Sequence, residues 1–288
     1  MTAMRTADLA VRALLREAEA GPKPGLVDRF GPGAHTDMDI SHFRLSAEAL
    51  RPFFASMVTA RTPESLRNLG LEAETAMLAA TGGVNTHKGA IWTLGLLCAA
   101  SGRVATSRAS GQAGVGMGTA EAVCDAAAEL ARLIIALPPA PDRTTRMPVR
   151  LPTNGQAARG AYGLRSARDE AAAGFPAIRA GALPLARSLR GSRAPEDERV
   201  ITVLLGAMAH ADDTCLVARG GVEALVKARR QAAAVLDAGG PGSAAGAAMY
   251  AVMVDAFLTR RLSPGGAADL CAAALFLADL ESACFARA

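Results

Sequence analysis

Apolar positions recur every three or four residues through most of this chain, in runs long enough for helices. In "MTAMRTADLAVRALLREAEA" the apolar residues share one side and the charges the other, which predicts an amphipathic helix over 6–20. Ser41 stands where it can cap a helix running to about residue 60. Thr62-Pro63-Glu64 reads as N-cap, N1 proline and first-turn acid, opening a helix that ends near Ala80. A further helix opens at Asn85 or Thr86 and runs to Ser101, where Gly102 is expected to end it. Residues 103–118 read as a glycine-rich loop and 119–136 as a helix, followed by a surface connection, "LPPAPDRTTRMP". Short helices are expected at 155–172 and 177–190, then longer ones at 196–211, 221–238, 243–261 and 264–284. Alternating strand patterns with hairpin signals are missing, and so is a repeat of fixed period. The pattern predicts an all-α fold: one multi-helix bundle domain spanning 1–288, with functional glycine-rich loops.

Composition agrees with helices and narrows the ligand. Of 288 residues, 51% are hydrophobic but only 4% aromatic, which favours helix over sheet. A net charge of +4 suits anionic small molecules and is too mild, and too scattered, for nucleic acid. Five cysteines, Cys98, Cys124, Cys215, Cys271 and Cys284, form no C-x-x-C pair. They read as reduced core thiols of a cytoplasmic protein. The N-terminal stretch lacks the uninterrupted apolar region of a signal peptide, and no run reaches the roughly 18 apolar residues of a membrane helix. Lysine occurs only at 23, 88 and 227, against a large excess of arginine. Two of the three lysines sit in glycine-flanked turns, where a compact point charge and a planar fork are not interchangeable.

Three polar turns hold the candidate chemistry. The first, "GPKPGLVDRFGPGAHTDMDI" at 21–40, gathers Lys23, Asp28, Arg29, His35, Asp37 and Asp39. It is either a ligand-binding loop stiffened by proline or a solvated surface loop. The second is "GGVNTHKGAIW" from Gly82. Free N–H groups at a helix start attract phosphate, and Lys88 and Gly89 exceed what a simple Asn85 or Thr86 cap requires. His87 can donate to a phosphate or protonate a leaving group. Just upstream, Glu74 is placed to hold Mg²⁺ or take a proton, unless it is an ordinary solvated glutamate. The third, "MAHADDTCLVARGGVEAL" at 208–225, offers Asp212 and Asp213 as a hard-metal site or a helix cap, with Arg219 and Gly220 beyond. A Walker motif is absent, and "GQAGVGMG" (Gly111 to Gly118) follows no strand, so a dinucleotide fingerprint fails its context. The inventory points to Mg²⁺-nucleotide handling on a helical scaffold.

Five segments together resemble the triphosphoribosyl-dephospho-CoA synthase family: "PKPGLVDRFGPGAHTDMD" (22–39), "LGLEAETAMLAATGGVNTHKGAIWTLGLLCAASG" (69–102), "YGLRSARDEAAAGFPAIR" (162–179), "ADDTCLVARGG" (211–221) and "LSPGGAADL" (262–270). They cover nearly the whole chain in family order. Two departures stand out: Cys215 and Ala218 replace the usual Asn and His of the third motif, and Asp169 replaces a glycine.

The resemblance implies a transferase that moves the triphosphoribosyl group of ATP to the 2'-hydroxyl of 3'-dephospho-CoA and releases adenine. The product would serve the acyl carrier subunit of malonate decarboxylase, or of citrate lyase, through a downstream holo-acyl-carrier-protein synthase step. An α-linked product from β-linked ATP implies one inverting displacement. On this footing Lys23, Asn85, Thr86, Lys88, Gly89, Arg219 and Gly220 bind the triphosphate. Asp212, Asp213 or Glu74 holds Mg²⁺, Asp28, Asp37 or Glu74 is the general base, and His87 or His35 protonates adenine. Two alternatives stay open: a Mg²⁺-dependent N-glycosidic hydrolase of ADP-ribose or nucleotides, and a non-catalytic CoA- or nucleotide-binding helical module. A homodimer is compatible with either.

Overall fold

A computed structural model describes residues 1–109, 119–138 and 160–285. Among the described residues the elements are helices, with one isolated β-bridge between Asp28 and Gly31 and no strand. They are α1 (Ala3–Glu19), α2 (Ile40–Thr59), α3 (Pro63–Ala80), α4 (Lys88–Ala109) and α5 (Thr119–Ala136). After α6 (Ala167–Ala172) come a π-helical turn at Ile178–Ala182 and α7 (Leu183–Ser188). The chain finishes with α8 (Glu196–His210), α9 (Thr214–Asp237), α10 (Ala244–Thr259) and α11 (Gly265–Phe285). The glycine run at 111–118, most of the proline cluster and the start of the helix expected at 155 lie outside the described residues.

Local capping chemistry sets most of the helix starts. Thr62 accepts from the Ser65 N–H ahead of Pro63 and Glu64, so α3 opens where its signal stands. At α2 the cap is Asp39 and not Ser41. The Asp39 carboxylate accepts from the backbone of Ser41 and His42, and the hydroxyl of Ser41 donates to it at 2.5 Å. Gly102 does not end α4, which continues to Ala109. A Cβ at 102 would stand 2.1 Å from the Val58 carbonyl oxygen, so glycine here lets α2 cross closely. α9 contains a break that the sequence marks: Gly221 takes φ 72° and divides the element.

One continuous apolar core runs through these helices. Phe54, Phe175, Phe257 and Phe276 are among its largest fully buried side chains. α11 lies in the middle, packed against α1, α4, α5, α7, α8 and α9. No single helix among the described residues is long and apolar enough to cross a membrane; α8 and α9 combine the length and the apolar composition only jointly, across a 62° bend.

Candidate active site

The segment Leu262–Asp269, where α11 begins, joins the polar turns. On one side the Ser263 hydroxyl meets His35 Nε2 at 3.0 Å. A few residues on, the Ala267 N–H donates to Asp213 Oδ2 at 2.8 Å. One turn deeper, Asp269 lies against the start of α4. A Cβ at Gly89 would stand 2.0 Å from Asp269 Oδ2, so only glycine admits the carboxylate there. The starts of α4, α6, α9 and α11 thus converge. Between them is a cavity of about 50 Å³ lined by Glu170, Asp212, Asp213 and Asp269, with Arg165 and Thr93. It has room for a hydroxyl or an ion, not a whole nucleotide, so the bulk of any substrate lies outside its mouth.

The four carboxylates have different obligations. Asp212 accepts from the Arg165 backbone N–H at 2.9 Å and its Nε at 3.2 Å, and pairs with Arg229. Burial pushes its pKa up, but the Arg165 backbone and the Arg229 guanidinium outweigh this and hold it below the usual range. Asp213 caps α9 through the N–H groups of Cys215 and Leu216, both at 3.0 Å, and ties α11 through Ala267. Its pKa is raised by burial, against those bonds. Glu170 accepts from the Ala177 N–H at 2.7 Å and stands 3.6 Å from Arg165. Burial raises it too. Among the described residues Asp269 has no ion-pair partner; burial, then Glu17 and Asp213, push it well above the carboxylate range, while the Ala90 N–H opposes.

Other predicted residues are placed outside the cavity or are already committed. Lys23 is buried, its ammonium 2.7 Å from Glu17 Oε1 and 2.6 Å from the Glu17 carbonyl, with 1% of the side chain exposed. This correction is physical: a charge consumed inside the fold does not reach a triphosphate. Asp28 is also internal, accepting from the N–H groups of Lys23, Phe30 and Gly31. It holds the loop's shape and has no free face to act as a base. His87 is 3% exposed, with Nδ1 2.6 Å from the Ser46 hydroxyl and Nε2 buried without a partner. Burial first, then Lys23, lower its pKa to about 3. A neutral, enclosed imidazole is not poised to protonate adenine.

His35 belongs to a second group on the rim. Arg219 approaches its Nδ1 at 3.3 Å, which leaves Nε2–H to donate to Ser263, and Asp37 Oδ1 stands 3.7 Å away. Burial, then Arg219, lower the His35 pKa, so it too is a neutral ring. Arg219 remains exposed, resting on the carbonyls of Ala34 and Arg261. Gly220 packs against Leu262 and Ala224. Lys88 is exposed and pairs with Glu74 at 2.9 Å. Asn85 Oδ1 accepts from the Lys88 N–H at 3.2 Å, capping α4, and the Thr86 hydroxyl is buried without a partner.

As a Mg²⁺ cage the set Asp212, Asp213 and Glu74 does not fit. Two arginines take the first, backbone N–H groups the second, and Lys88 the third. Among the described residues no group of three or more His, Cys, Asp or Glu is placed to hold an ion. Residues that sequence reasoning passed over include Asp269, Glu170 and Arg165. The available signal was Ser263-Pro264-Gly265-Gly266, a helix start of the same kind as the other turns, with an acid one turn inside. A larger groove of about 710 Å³ between α9 and α10 is lined by Val222, Val226, Met249 and Val252 with Lys227 and Arg230, and shares no residue with this cavity.

Comparison with known proteins follows the same outline. The family described as "CitG: ATP:dephospho-CoA triphosphoribosyl transferase" matches residues 3–285. A protein of Azotobacter vinelandii named "Probable 2-(5''-triphosphoribosyl)-3'-dephosphocoenzyme-A synthase" is 43% identical over 97% of this chain and 92% of its own length. A protein of Stutzerimonas stutzeri with the same name is 42% identical over 98% and 93%. A solved structure from Archaeoglobus fulgidus, attributed to a triphosphoribosyl-dephospho-CoA synthase, superposes with a TM-score of 0.48 at 20% identity. It covers 82% of this chain and 97% of its own, and at that distance it adds nothing to the fold.

Proposed function

The chain belongs to the ATP:dephospho-CoA triphosphoribosyl transferase family, and from that premise we propose that it moves the triphosphoribosyl group of ATP onto the 2'-hydroxyl of 3'-dephospho-CoA, releasing adenine. The near-complete family match carries this reading, and the carboxylate-lined cavity at four converging helix starts supports it. The C1' centre gains positive character as adenine leaves, and fixed carboxylates nearby favour such a charge. Lys88, on the exposed rim beside the α4 start, and Arg219, on the rim beside α11, supply the cations for the triphosphate. Arg165, fixed by Asp212, presents a further guanidinium at the cavity.

Magnesium enters this reading with the substrate, as the magnesium complex of ATP, and not as a resident ion. The displacement is proposed to invert C1', from β-linked ATP to an α-linked product. Residues 1–288 act as one catalytic domain, for which the continuous core is the support. The product's destination is proposed to be the acyl carrier subunit of malonate decarboxylase, through a later holo-acyl-carrier-protein synthase step. The five cysteines are all unpaired, which supports a cytoplasmic setting. A homodimer is part of the proposal, supported by the exposed Met249, Val252 and Leu258 on α10.

The test is direct. The protein, incubated with MgATP and 3'-dephospho-CoA, should yield adenine and a dephospho-CoA mass increased by one triphosphoribosyl group. Adenine formed equally well without dephospho-CoA would mean hydrolysis and would reject the transferase.

A further inference from the structure

The reaction requires that one proton leave the attacking hydroxyl and one reach the departing base. Among the cavity's carboxylates, three are occupied. Arg165 and Arg229 neutralise Asp212, three backbone N–H groups saturate Asp213, and the Ala177 N–H with Arg165 holds Glu170. Asp28 is spent within its own loop, and Glu74 does not line the cavity but stands beside Lys88. Asp269 lines the cavity with no ion pair among the described residues and with a single backbone partner, the Ala90 N–H in the first turn of α4. Gly89 is shaped to admit its carboxylate, and the turn just before it carries two buried polar atoms without partners, Thr86 Oγ1 and His87 Nε2.

We propose that Asp269 is a catalytic residue, the general base that takes the proton from the 2'-hydroxyl of dephospho-CoA. The proposal rests on the triphosphoribosyl-transfer reading. The O2'–C1' bond forms as the C1'–N9 bond breaks, and the electron pair of that bond departs with adenine. The hydroxyl proton moves to the Asp269 carboxylate and is released to solvent as product leaves, while adenine, on the opposite face of C1', takes one proton from solvent. The proton given to solvent and the proton taken from it cancel, and the sum consumes no water or reductant. Asp269 takes the base role that the sequence offers to Asp28, Asp37 or Glu74.

The surroundings suit a group that must both accept and release a proton. Burial, then Glu17 on α1 and Asp213 at the α9 cap, disfavour a lasting negative charge on Asp269, and the Ala90 N–H opposes them. Glu170 and the Arg165-paired Asp212 also face the cavity, and Lys23 is held by Glu17. Cys215, pushed up to about 12 by burial and then by Asp213 and Asp269, stays a neutral thiol beside it. A carboxylate kept in such company is a cost to folding that a purely structural residue would not impose.

That cost supplies the test. Asp269→Asn and wild type are compared for turnover with MgATP and dephospho-CoA, for MgATP affinity by calorimetry, and for melting temperature. Asparagine keeps the shape but removes the base. The expected result is a kcat loss of about 10²–10⁴-fold, MgATP affinity changed by less than about threefold, and an equal or higher melting temperature. A turnover loss below about tenfold, a loss that resides in MgATP affinity, or a lower melting temperature overturns the proposal, the last because it marks a structural carboxylate. Wild-type protein that forms no triphosphoribosyl product sinks the parent reading and this one together. Full product from both proteins sinks this one alone.

Discussion

The turn around Lys23 and the turn around Lys88 each set a lysine beside glycine, next to residues able to bind phosphate. Lys23 folds inward: its ammonium meets the side chain and carbonyl of Glu17, and only 1% of the side chain is exposed. Lys88 points outward, 52% exposed, and shares its charge with a Glu74 side chain that is itself 29% exposed. What separates them is the fate of the nearest carboxylate. Where the acid is buried with the lysine, the pair becomes part of the core. Where the acid stays at the surface, the bond is weak and the lysine is free to exchange it for a ligand.

The sharpest way to break that comparison is to remove each charge in turn. Lys23→Met leaves Glu17 buried without a counter-charge, a class of change that costs about 3–5 kcal/mol. Chemical denaturation should show that loss, and an unfolding midpoint close to wild type would erase the distinction between the turns. The second largest effect belongs to Lys88→Ala, where stability should hold but triphosphate binding should not. Loss of one charge-assisted contact of about 1.5–3 kcal/mol predicts MgATP affinity reduced roughly 10–100-fold, with helical circular dichroism unchanged. Undiminished product formation by this variant would take Lys88 out of the site.

How far the sequence reveals such differences depends on the range of the interactions. Helix starts are written in three or four adjacent residues, which is why Thr62-Pro63-Glu64 marks α3 correctly. Gly102 misleads because its reason lies in another helix, at the Val58 carbonyl. Asp212 and Asp213 are legible as a pair of acids, but not their division of labour. One faces the arginines at 165 and 229, the other the backbone of two helices. Asp269 was hidden for the same reason, since Gly89, which makes room for it, is far away along the chain. Lys23 was misjudged because burial is a property of the fold, and no local pattern distinguishes it from Lys88.

The last expected effect concerns His87, which sits in the Lys88 turn yet behaves like the Lys23 turn. Its ring is enclosed, and burial followed by Lys23 lowers its pKa to about 3. In the unfolded chain a histidine titrates near 6.5, so the unfolded state binds the proton more readily. The stability His87 contributes is therefore complete above about pH 6.5 and is lost as pH falls toward 3, by about 1.4 kcal/mol per pH unit. Asp213, Asp269 and Glu170, whose pKa values burial raises, act in the opposite direction and gain from acid. His35, lowered by burial and then Arg219, adds a loss of the same sign. Comparing wild type with His87→Asn cancels these shared contributions, because asparagine can keep the Ser46 contact without titrating. Between pH 6.5 and 4.5 the wild type should lose more stability than the variant. Parallel melting curves for the two proteins across that range would mean that His87 is hydrated and chargeable in the folded state, and would return it to the list of proton donors.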